Sequence, residues 1–400
     1  MAVDRESVAM RALDLFSGIG GFALAGESVG IETAAFCEIE PFAVNVLQKR
    51  FPGVPVFPDV RELGGDSVGG IDIVCGGFPC QDLSVAGKRA GLAGERSGLW
   101  YEMLRIIAGV RPHYVLAENV RGAVNLALDT VQAGMEAEGY KVWPYLVPAA
   151  AFGAPHQRER LFVVGVREDV ADAVSERLQR GERAGAFCED GTTSSQPASE
   201  CGEGCLWPTP SVHGNYNRRG LSENSGDGLA TAVKMWPTPT STERSGINPN
   251  TGRGAGLTHA VSLWPTPHRN CSNGAGAHGD GGLNIQTAVS LSNGDSPTLA
   301  QHVTGEVRPA YEMLSPDWVE CLMNFPLGWT DPDCDEPEPW PGWPAMMGES
   351  QYPYEPPRTG TGIPHRAARL CALGNAVVPA QAYPFFEAIA TMEDVRHDPH

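Results

Sequence analysis

The sequence predicts an α/β fold in which a mostly parallel sheet carries helices on both faces, joined to a smaller irregular domain. Three observations carry this expectation. Short apolar runs alternate with helical stretches as far as about residue 168, the pattern of a parallel sheet wrapped by its crossover helices. Each apolar run ends in a cluster of Gly, Asp, Glu or Asn, as strands entering ligand-binding loops do. Beyond Glu168 Gly, Ser, Thr and Asn dominate and an internal repeat appears. Four hundred residues also exceed what one hydrophobic core usually serves.

The elements are expected in the following order. Met10 to Leu15 reads as a first strand, followed by Phe16-Ser17-Gly18-Ile19-Gly20-Gly21 and a helix from Phe22 to Val29. Thr33 to Cys37 is a second strand that runs into Glu38-Ile39-Glu40 and a helix opening at Pro41, a residue suited to a first helical position. Val54 to Phe57 is a third strand, closed by Asp59-Val60. The fourth, Ile71 to Cys75, is expected to stop at Gly76-Gly77-Phe78-Pro79, where the Gly pair and Pro turn the chain just before Cys80. A helix over Ser97–Gly109 precedes a fifth strand, His113 to Ala117, which ends at Glu118-Asn119-Val120. Another helix reaches Gly139, and a strand pair follows at Tyr140–Val147 and Arg160–Val166.

The later region is built differently. Trp-Pro-Thr-Pro occurs at Trp207, Trp236 and Trp264, at offsets of 29 and 28 residues, and repeats of this period are expected to stack as similar units. The tryptophans are read as the small core of those units, leaving polar residues after each one to face outward. Residues 331–362 are acidic and proline-rich and read as an exposed linker. Arg366 to Ala390 regains apolar character and is expected to return to the first domain. The division is therefore 1–168 with 363–400, then 169–330, with 331–362 as the linker.

Composition narrows the classes. No run of 18 apolar residues occurs and the N-terminus lacks a signal-peptide pattern, so a soluble, cytoplasmic protein without a membrane partner is expected. Ten cysteines scattered over a long chain suggest reduced thiols, and Cys201 and Cys205, with no matching second pair, do not predict a metal site. The net charge is −19, but ten acids against two arginines lie in 308–362, whereas 206–307 balances six of each. Charge does not decide the partner.

Three successive strand ends suggest an adenosine-bearing cofactor. The loop Gly18-x-Gly20-x-x-Ala23 sets backbone N–H groups and a helix start beside a ligand, Glu38 suits ribose hydroxyls, and Asp59 can accept from an adenine amino group. A nicotinamide dinucleotide and S-adenosyl-L-methionine both fit these residues. Cys80 separates them, because hydride transfer gives a thiol at that point no role.

With these residues in place, the chain resembles the DNA (cytosine-5)-methyltransferase family of phage and prokaryotic type. Asp14 to Gly21, Pro79-Cys80-Gln81, Glu118-Asn119-Val120, Arg158-Glu159-Arg160 and Gly374-Asn375-Ala376-Val377-Val378-Pro379 stand in that family's order. The family's Gln ahead of Arg-x-Arg is His156 here. The Trp-Pro-Thr-Pro repeats lie where the family keeps its variable target-recognition region. The resemblance implies a Rossmann-like S-adenosylmethionine-dependent methyltransferase fold with a smaller irregular target-recognition domain. It also implies a cofactor site of Phe16, Ser17, Gly18, Ile19, Gly20, Gly21, Glu38, Ile39, Asp59, Val60, Gly77, Pro79, Asn375 and Ala376.

The chemistry asks for the same residue types. Cytosine C5 is a poor nucleophile until something adds at C6, and a thiolate such as that of Cys80 is strongly nucleophilic even when sparsely ionised. Addition places negative charge on the ring, which an acid near N3 must relieve. Glu118 is the candidate, since a desolvated carboxyl holds its proton. Arg158 and Arg160 alternate with Glu159, so on a strand both would face one side, toward base O2 or phosphate. These four residues are the expected catalytic set.

A duplex hides the C5–C6 face, so the base must be flipped out. Gln81 to Leu99, with Ser84, Lys88 and Arg89, reads as a loop closing over DNA. Arg218 and Arg219 after the first repeat and Arg269 after the third have the geometry to read base edges. The expected partner is double-stranded DNA, bound by a monomer, with a cognate restriction endonuclease as a further candidate. The rival readings are an RNA (tRNA) cytosine-5 methyltransferase and a non-catalytic DNA-binding relative, with a nicotinamide oxidoreductase further off.

Overall fold

Apolar runs of five to eight residues, buried along all but their ends, build the centre of the molecule. The structure, a computed structural model, describes residues 9–65, 67–79, 98–179, 264–269, 285–292 and 313–397. In chain order the strands are β1 (Arg11–Leu15), β2 (Glu32–Cys37), β3 (Val56–Phe57), β4 (Ile73–Gly77), β5 (Tyr114–Val120), β6 (Tyr140–Val147) and β7 (Arg160–Arg167). They form one sheet in the order β3-β2-β1-β4-β5-β7-β6. The first five run parallel, and β7 lies antiparallel between β5 and β6. The order reverses between β1 and β4, so the loops after those two strands flank a crevice at the sheet's carboxyl edge, where open α/β sheets bind ligands.

Helices cover both faces. They are α1 (Gly21–Glu27), α2 (Pro41–Arg50), α3 (Gly98–Val110), α4 (Leu128–Ala137), α5 (Glu168–Gln179), α6 (Ile285–Ser292), α7 (Pro316–Leu322), α8 (Arg366–Asn375) and α9 (Pro379–His397). Pro41 takes the first helical position of α2, and the Glu40 carboxylate caps that helix by accepting from Ala43 N at 3.0 Å. Leu13, Leu15, Val74 and Val115 point into one core with Met103, Ile106 and Ile107 of α3. Ala12, Ile73 and Leu116 point the other way, toward Phe22 of α1 and Phe386 of α9. A third core joins α2 to α6, α7 and α8 through Phe51, Trp318, Trp329 and Leu370. Among the described residues, no helix is long and apolar enough to cross a membrane.

Two expectations about elements are corrected. The Gly76-Gly77 pair does not stop β4, which runs through both residues. The reason is space: a Cβ on Gly76 would lie 2.5 Å from Leu15 O and one on Gly77 2.8 Å from Glu118 Oε2, so glycine is what lets the neighbouring strands close at this edge. Helical structure also continues past Glu168 as α5, which buries Val170 and Val174 four residues apart. Within 331–362, Ala345 and Arg358 are buried, and the Trp340 and Trp343 rings meet edge to face at 4.9 Å. The stretch is thus anchored, although its composition suggests exposure.

Candidate active site

The loop after β1 opens the crevice. Phe16 (φ 55°) and Gly18 (φ 53°) adopt left-handed backbone, which bends the chain sharply before α1. Ser17 Oγ donates to Asp14 O at 2.7 Å and accepts from Cys37 N at 3.2 Å, pinning the turn between β1 and β2. Ile19 and Gly20 are buried, and a Cβ on Gly21 would sit 2.4 Å from Val377 O. The start of α1 therefore rests directly on the segment after α8.

Glu38, at the end of β2, turns its carboxylate back onto this loop. Its oxygens accept from Gly18 N at 2.8 Å, Ile39 N at 2.9 Å and Glu40 N at 2.8 Å. A carboxylate offers about four acceptor positions, so one is left for a ligand hydroxyl while three fix the group's direction. Ile39 is 70% exposed beside it, an apolar face turned to solvent among the described residues. Asp59 accepts from Arg61 N through Oδ1 at 2.9 Å, while its Oδ2 lies 3.8 Å from the Arg61 guanidinium. Val60 is buried behind it. Asn375 is exposed and Ala376 buried at the end of α8, next to Val377, on which the α1 start rests.

The second half of the site lies across β4 and β5. Gly77 stands beside Glu118 in the parallel register. The Glu118 carboxyl is buried, and Arg160 Nε donates to its Oε1 at 2.8 Å. Burial pushes its pKa up, against the opposing pull of the Arg160 and Arg158 charges. Asn119 Nδ2 donates to Phe78 O at 3.0 Å while its Oδ1 accepts from Val120 N at 2.8 Å. That bridge ties the end of β5 to the turn Phe78-Pro79, and Pro79, exposed, is the last described residue before Cys80. Cys80, Gln81, Ser84, Lys88, Arg89, Arg218 and Arg219 lie outside the described residues, as do Trp207 and Trp236.

The two arginines separate, contrary to the expectation that they share a strand face. Only Arg160 belongs to β7, and Arg158 precedes it with φ 34°, so the two-residue alternation of a strand does not relate them. Arg160 faces Glu118. Arg158 is buried and spends its guanidinium on carbonyls: Nη1 on Pro267 O at 2.8 Å, Nη2 on Gly374 O at 3.1 Å and on Ala376 O at 2.6 Å. Glu159 between them pairs with Arg121 at the surface. His156 is buried, and its Nε2 lies 2.9 Å from Leu322 O, so Nε2 carries the hydrogen. Burial lowers its pKa to about 3, leaving the imidazole neutral.

Two features were missed from sequence. Asp14, inside β1, is buried with both carboxyl oxygens lacking a hydrogen-bond donor of ordinary geometry. Burial first, then the Glu38 charge, raises its pKa well above the usual carboxylate range. An acid inside an apolar run was the one available signal. The other is the third repeat. Trp264 is buried, against Trp318 at 5.0 Å and under the Arg358 guanidinium at 4.8 Å, and the stacking expected of the repeats lies outside the described residues. Arg269, five residues on, is exposed.

Residues 10–192 match the family model of the C-5 cytosine-specific DNA methylase. The chain is 38% identical over 175 residues to the type II methyltransferase M2.BsuMI of Bacillus subtilis, which is 41% of this chain and 44% of that protein. It is 32% identical over 171 residues to the type II methyltransferase M.HhaI of Haemophilus parahaemolyticus, 42% of this chain and 52% of the relative. The orphan methyltransferase M.SPRI of Bacillus phage SPR is 33% identical over 173 residues, 40% and 38% of the two chains. The chain thus spans about half the length, or less, of these curated relatives. In fold it is similar to a Spodoptera frugiperda DNMT2 mutant, with a TM-score of 0.50 and 16% identity over 96% of this chain and 100% of that one. The Dnmt2 methyltransferase of S. pombe gives a TM-score of 0.50 at 14% identity over 95% and 98%. Residues 10–192, just under half of the chain, are thus similar to the C-5 cytosine-specific DNA methylase family, and the mostly parallel sheet shares its fold with the two solved structures.

Proposed function

We propose that the protein is a DNA (cytosine-5)-methyltransferase, which transfers a methyl group from S-adenosyl-L-methionine to C5 of a flipped-out cytosine through a covalent Cys80 adduct at C6. The observation that carries this reading is the Glu118 carboxyl, desolvated and gripped by Arg160 at 2.8 Å, beside the turn that leads into Cys80. A cytosine ring seated against that turn offers C6 to the thiolate and N3 to Glu118.

The crevice suits the cofactor by its donor set. Glu38, with one acceptor position open, would take a ribose hydroxyl, the exposed Ile39 would cover the adenine ring, and Asp59 Oδ2 would accept from its amino group. Phe16 to Gly21, Gly77, Pro79, Asn375 and Ala376 would line the remainder. When bound, S-adenosyl-L-methionine supplies an electrophilic methyl group.

The chain's own residues divide the other steps. The Cys80 thiolate adds to C6, and Glu118 passes its proton to N3, so the adduct is a neutral enamine that is nucleophilic at C5. Arg160 orients Glu118 and limits how far burial raises its pKa. After the methyl group joins C5, loss of the C5 proton restores the C5–C6 double bond, expels the Cys80 thiolate and returns the N3 proton to Glu118. Arg269, together with Arg218, Arg219, Gln81, Ser84, Lys88 and Arg89, would contact double-stranded DNA in the cytoplasm of a bacterial or phage-infected cell.

The test is direct. Incubation with unmethylated DNA and S-adenosyl-L-methionine, followed by bisulfite sequencing, is expected to show 5-methylcytosine at one recurring sequence. Cys80→Ala is expected to abolish it, and DNA containing 5-fluorocytosine to trap the wild type as a covalent adduct, because fluorine at C5 cannot leave as a proton. Methylation of RNA but not DNA, or activity retained in Cys80→Ala, overturns the proposal.

A further inference from the structure

The third Trp-Pro-Thr-Pro copy is not needed to explain the chemistry, yet it threads the centre of the site. Trp264 N donates to Pro155 O at 2.7 Å, and Trp264 forms a parallel bridge with His156. The Trp264 indole is buried and its Nε1 donates to Ala345 O at 2.8 Å. From that anchor the chain runs through Pro265, Thr266 and Pro267, whose rings fix two backbone angles and leave little freedom. Thr266 Oγ1 accepts from Arg158 N at 3.1 Å, and Pro267 O accepts from Arg158 Nη1 at 2.8 Å. A Cβ on Gly374 would lie 2.4 Å from His268 C and 2.5 Å from Arg269 N, so the segment passes in direct contact with the end of α8.

Arg158 needs such support. Its φ of 34° is unfavourable for a residue with a side chain and persists only where the surroundings hold it. Two residues further along, Arg160 meets Glu118. The Arg158 guanidinium also holds Gly374 O and Ala376 O, next to Val377, on which the start of α1 rests.

We propose that Trp264-Pro265-Thr266-Pro267 is a positioning element for the methyl-transfer site: it fixes Arg158 from both its backbone and its side chain, and Arg158 in turn sets Arg160 against Glu118 and residues 374–377 against the cofactor loop. As a positioning role in methyl transfer, this rests on the activity proposed above. It makes the segment that carries Arg269 part of the catalytic geometry as well as a contact for DNA.

Thr266→Val removes the acceptor for Arg158 N at nearly constant shape, and Thr266→Ser restores it. Active sites are counted by trapping on 5-fluorocytosine DNA. Per trapped site, Thr266→Val is expected to lower kcat about tenfold, as misplacement of a catalytic group does. Its alkaline limb is expected to shift upward, because Glu118 loses part of the Arg160 charge that favours its ionised form, and Thr266→Ser should behave as wild type. Hydrogen exchange should rise at 156–161 and 374–378 while 114–117 stays protected. Arg158→Lys, which loses the fork to three carbonyls, should show the same two exchange changes if Thr266→Val fails to fold. Unchanged kcat and alkaline limb in Thr266→Val, a serine variant no better than the valine one, or exchange rising evenly along the chain overturns the proposal. If the wild type methylates nothing, the activity reading has failed, and the exchange pattern alone decides whether the element holds these two segments.

Discussion

Glu118→Gln separates the proton from the shape of the site. The substitution keeps the volume and a carbonyl oxygen facing Arg160 Nε, now 2.8 Å from Oε1. A charge-assisted hydrogen bond contributes about 1.5–3 kcal/mol and a neutral one roughly half of that, so about 1–1.5 kcal/mol is lost at this contact. Against it stands the burial of the carboxylate, which outweighs the arginine charges, since the Glu118 pKa is raised overall. A group with a raised folded pKa gives a stability contribution that is complete below its unfolded pKa and disappears as pH rises through the folded value. Wild-type stability therefore carries a loss at pH 8 that glutamine does not. Relative to wild type, Glu118→Gln is expected to gain stability between pH 5 and pH 8, and to stay within about 1.5 kcal/mol of it at pH 8. Turnover should fall by roughly 10²–10⁴, the usual share of a positioned acid. Denaturant unfolding at the two pH values and single-turnover methyl transfer make the measurement. A variant that loses ground to wild type as pH rises, or that turns over normally, refutes the assignment.

Three further outcomes are expected. Gly77→Ala puts a methyl group 2.8 Å from Glu118 Oε2 and displaces the carboxyl, so kcat should fall about tenfold with S-adenosylmethionine affinity within about twofold, measured by steady-state kinetics and calorimetry. Glu38→Ala removes an acceptor from three loop N–H groups and should weaken S-adenosylmethionine binding by about 1–3 kcal/mol. An unchanged dissociation constant would take Glu38 out of the site. Arg269→Ala, at an exposed position, should leave the melting temperature within about 1 °C while weakening DNA binding, read from the salt dependence of a gel-shift titration.

Much of the sheet was legible because its strands are dense apolar runs cut off by Gly, Pro and acids, and a wholly buried parallel strand has few other ways to look. Phe16, Glu38 and Asp59 follow their strands as the sequence suggests, since a sheet's carboxyl edge gathers the residues after each run, whereas Glu118, expected just past the fifth strand, lies inside β5. What stayed hidden depends on contacts far apart in sequence. Gly76-Gly77 looks like a strand breaker until Leu15 and Glu118 are seen closing on it. Arg158 and Arg160 look like one strand face until the φ of 34° at Arg158 is known. Asn119 gave no local sign that it would brace Phe78, nor Trp264 that it would pack on Trp318, 54 residues away.

The positions where glycine is required explain why separate motifs behave as one site. A Cβ on Gly21 would meet Val377 O at 2.4 Å, one on Gly77 would meet Glu118 Oε2 at 2.8 Å, and one on Gly374 would meet His268 C at 2.4 Å. Each is a place where one motif presses its backbone against another: cofactor loop on the α8–α9 segment, catalytic strand on the acid, α8–α9 segment on the third repeat. Arg158 closes the chain of contacts by joining the third repeat to Gly374 and Ala376 through three carbonyls. Close-packed interfaces of this kind yield little to small displacements. A side chain added at any of the three glycines must therefore move a neighbour that belongs to a different step of the reaction. The expected signature is that Gly21→Ala and Gly374→Ala each change both cofactor binding and turnover, because their contacts are backbone, whereas Gly77→Ala lowers turnover with little effect on cofactor binding, because its contact is the flexible end of Glu118.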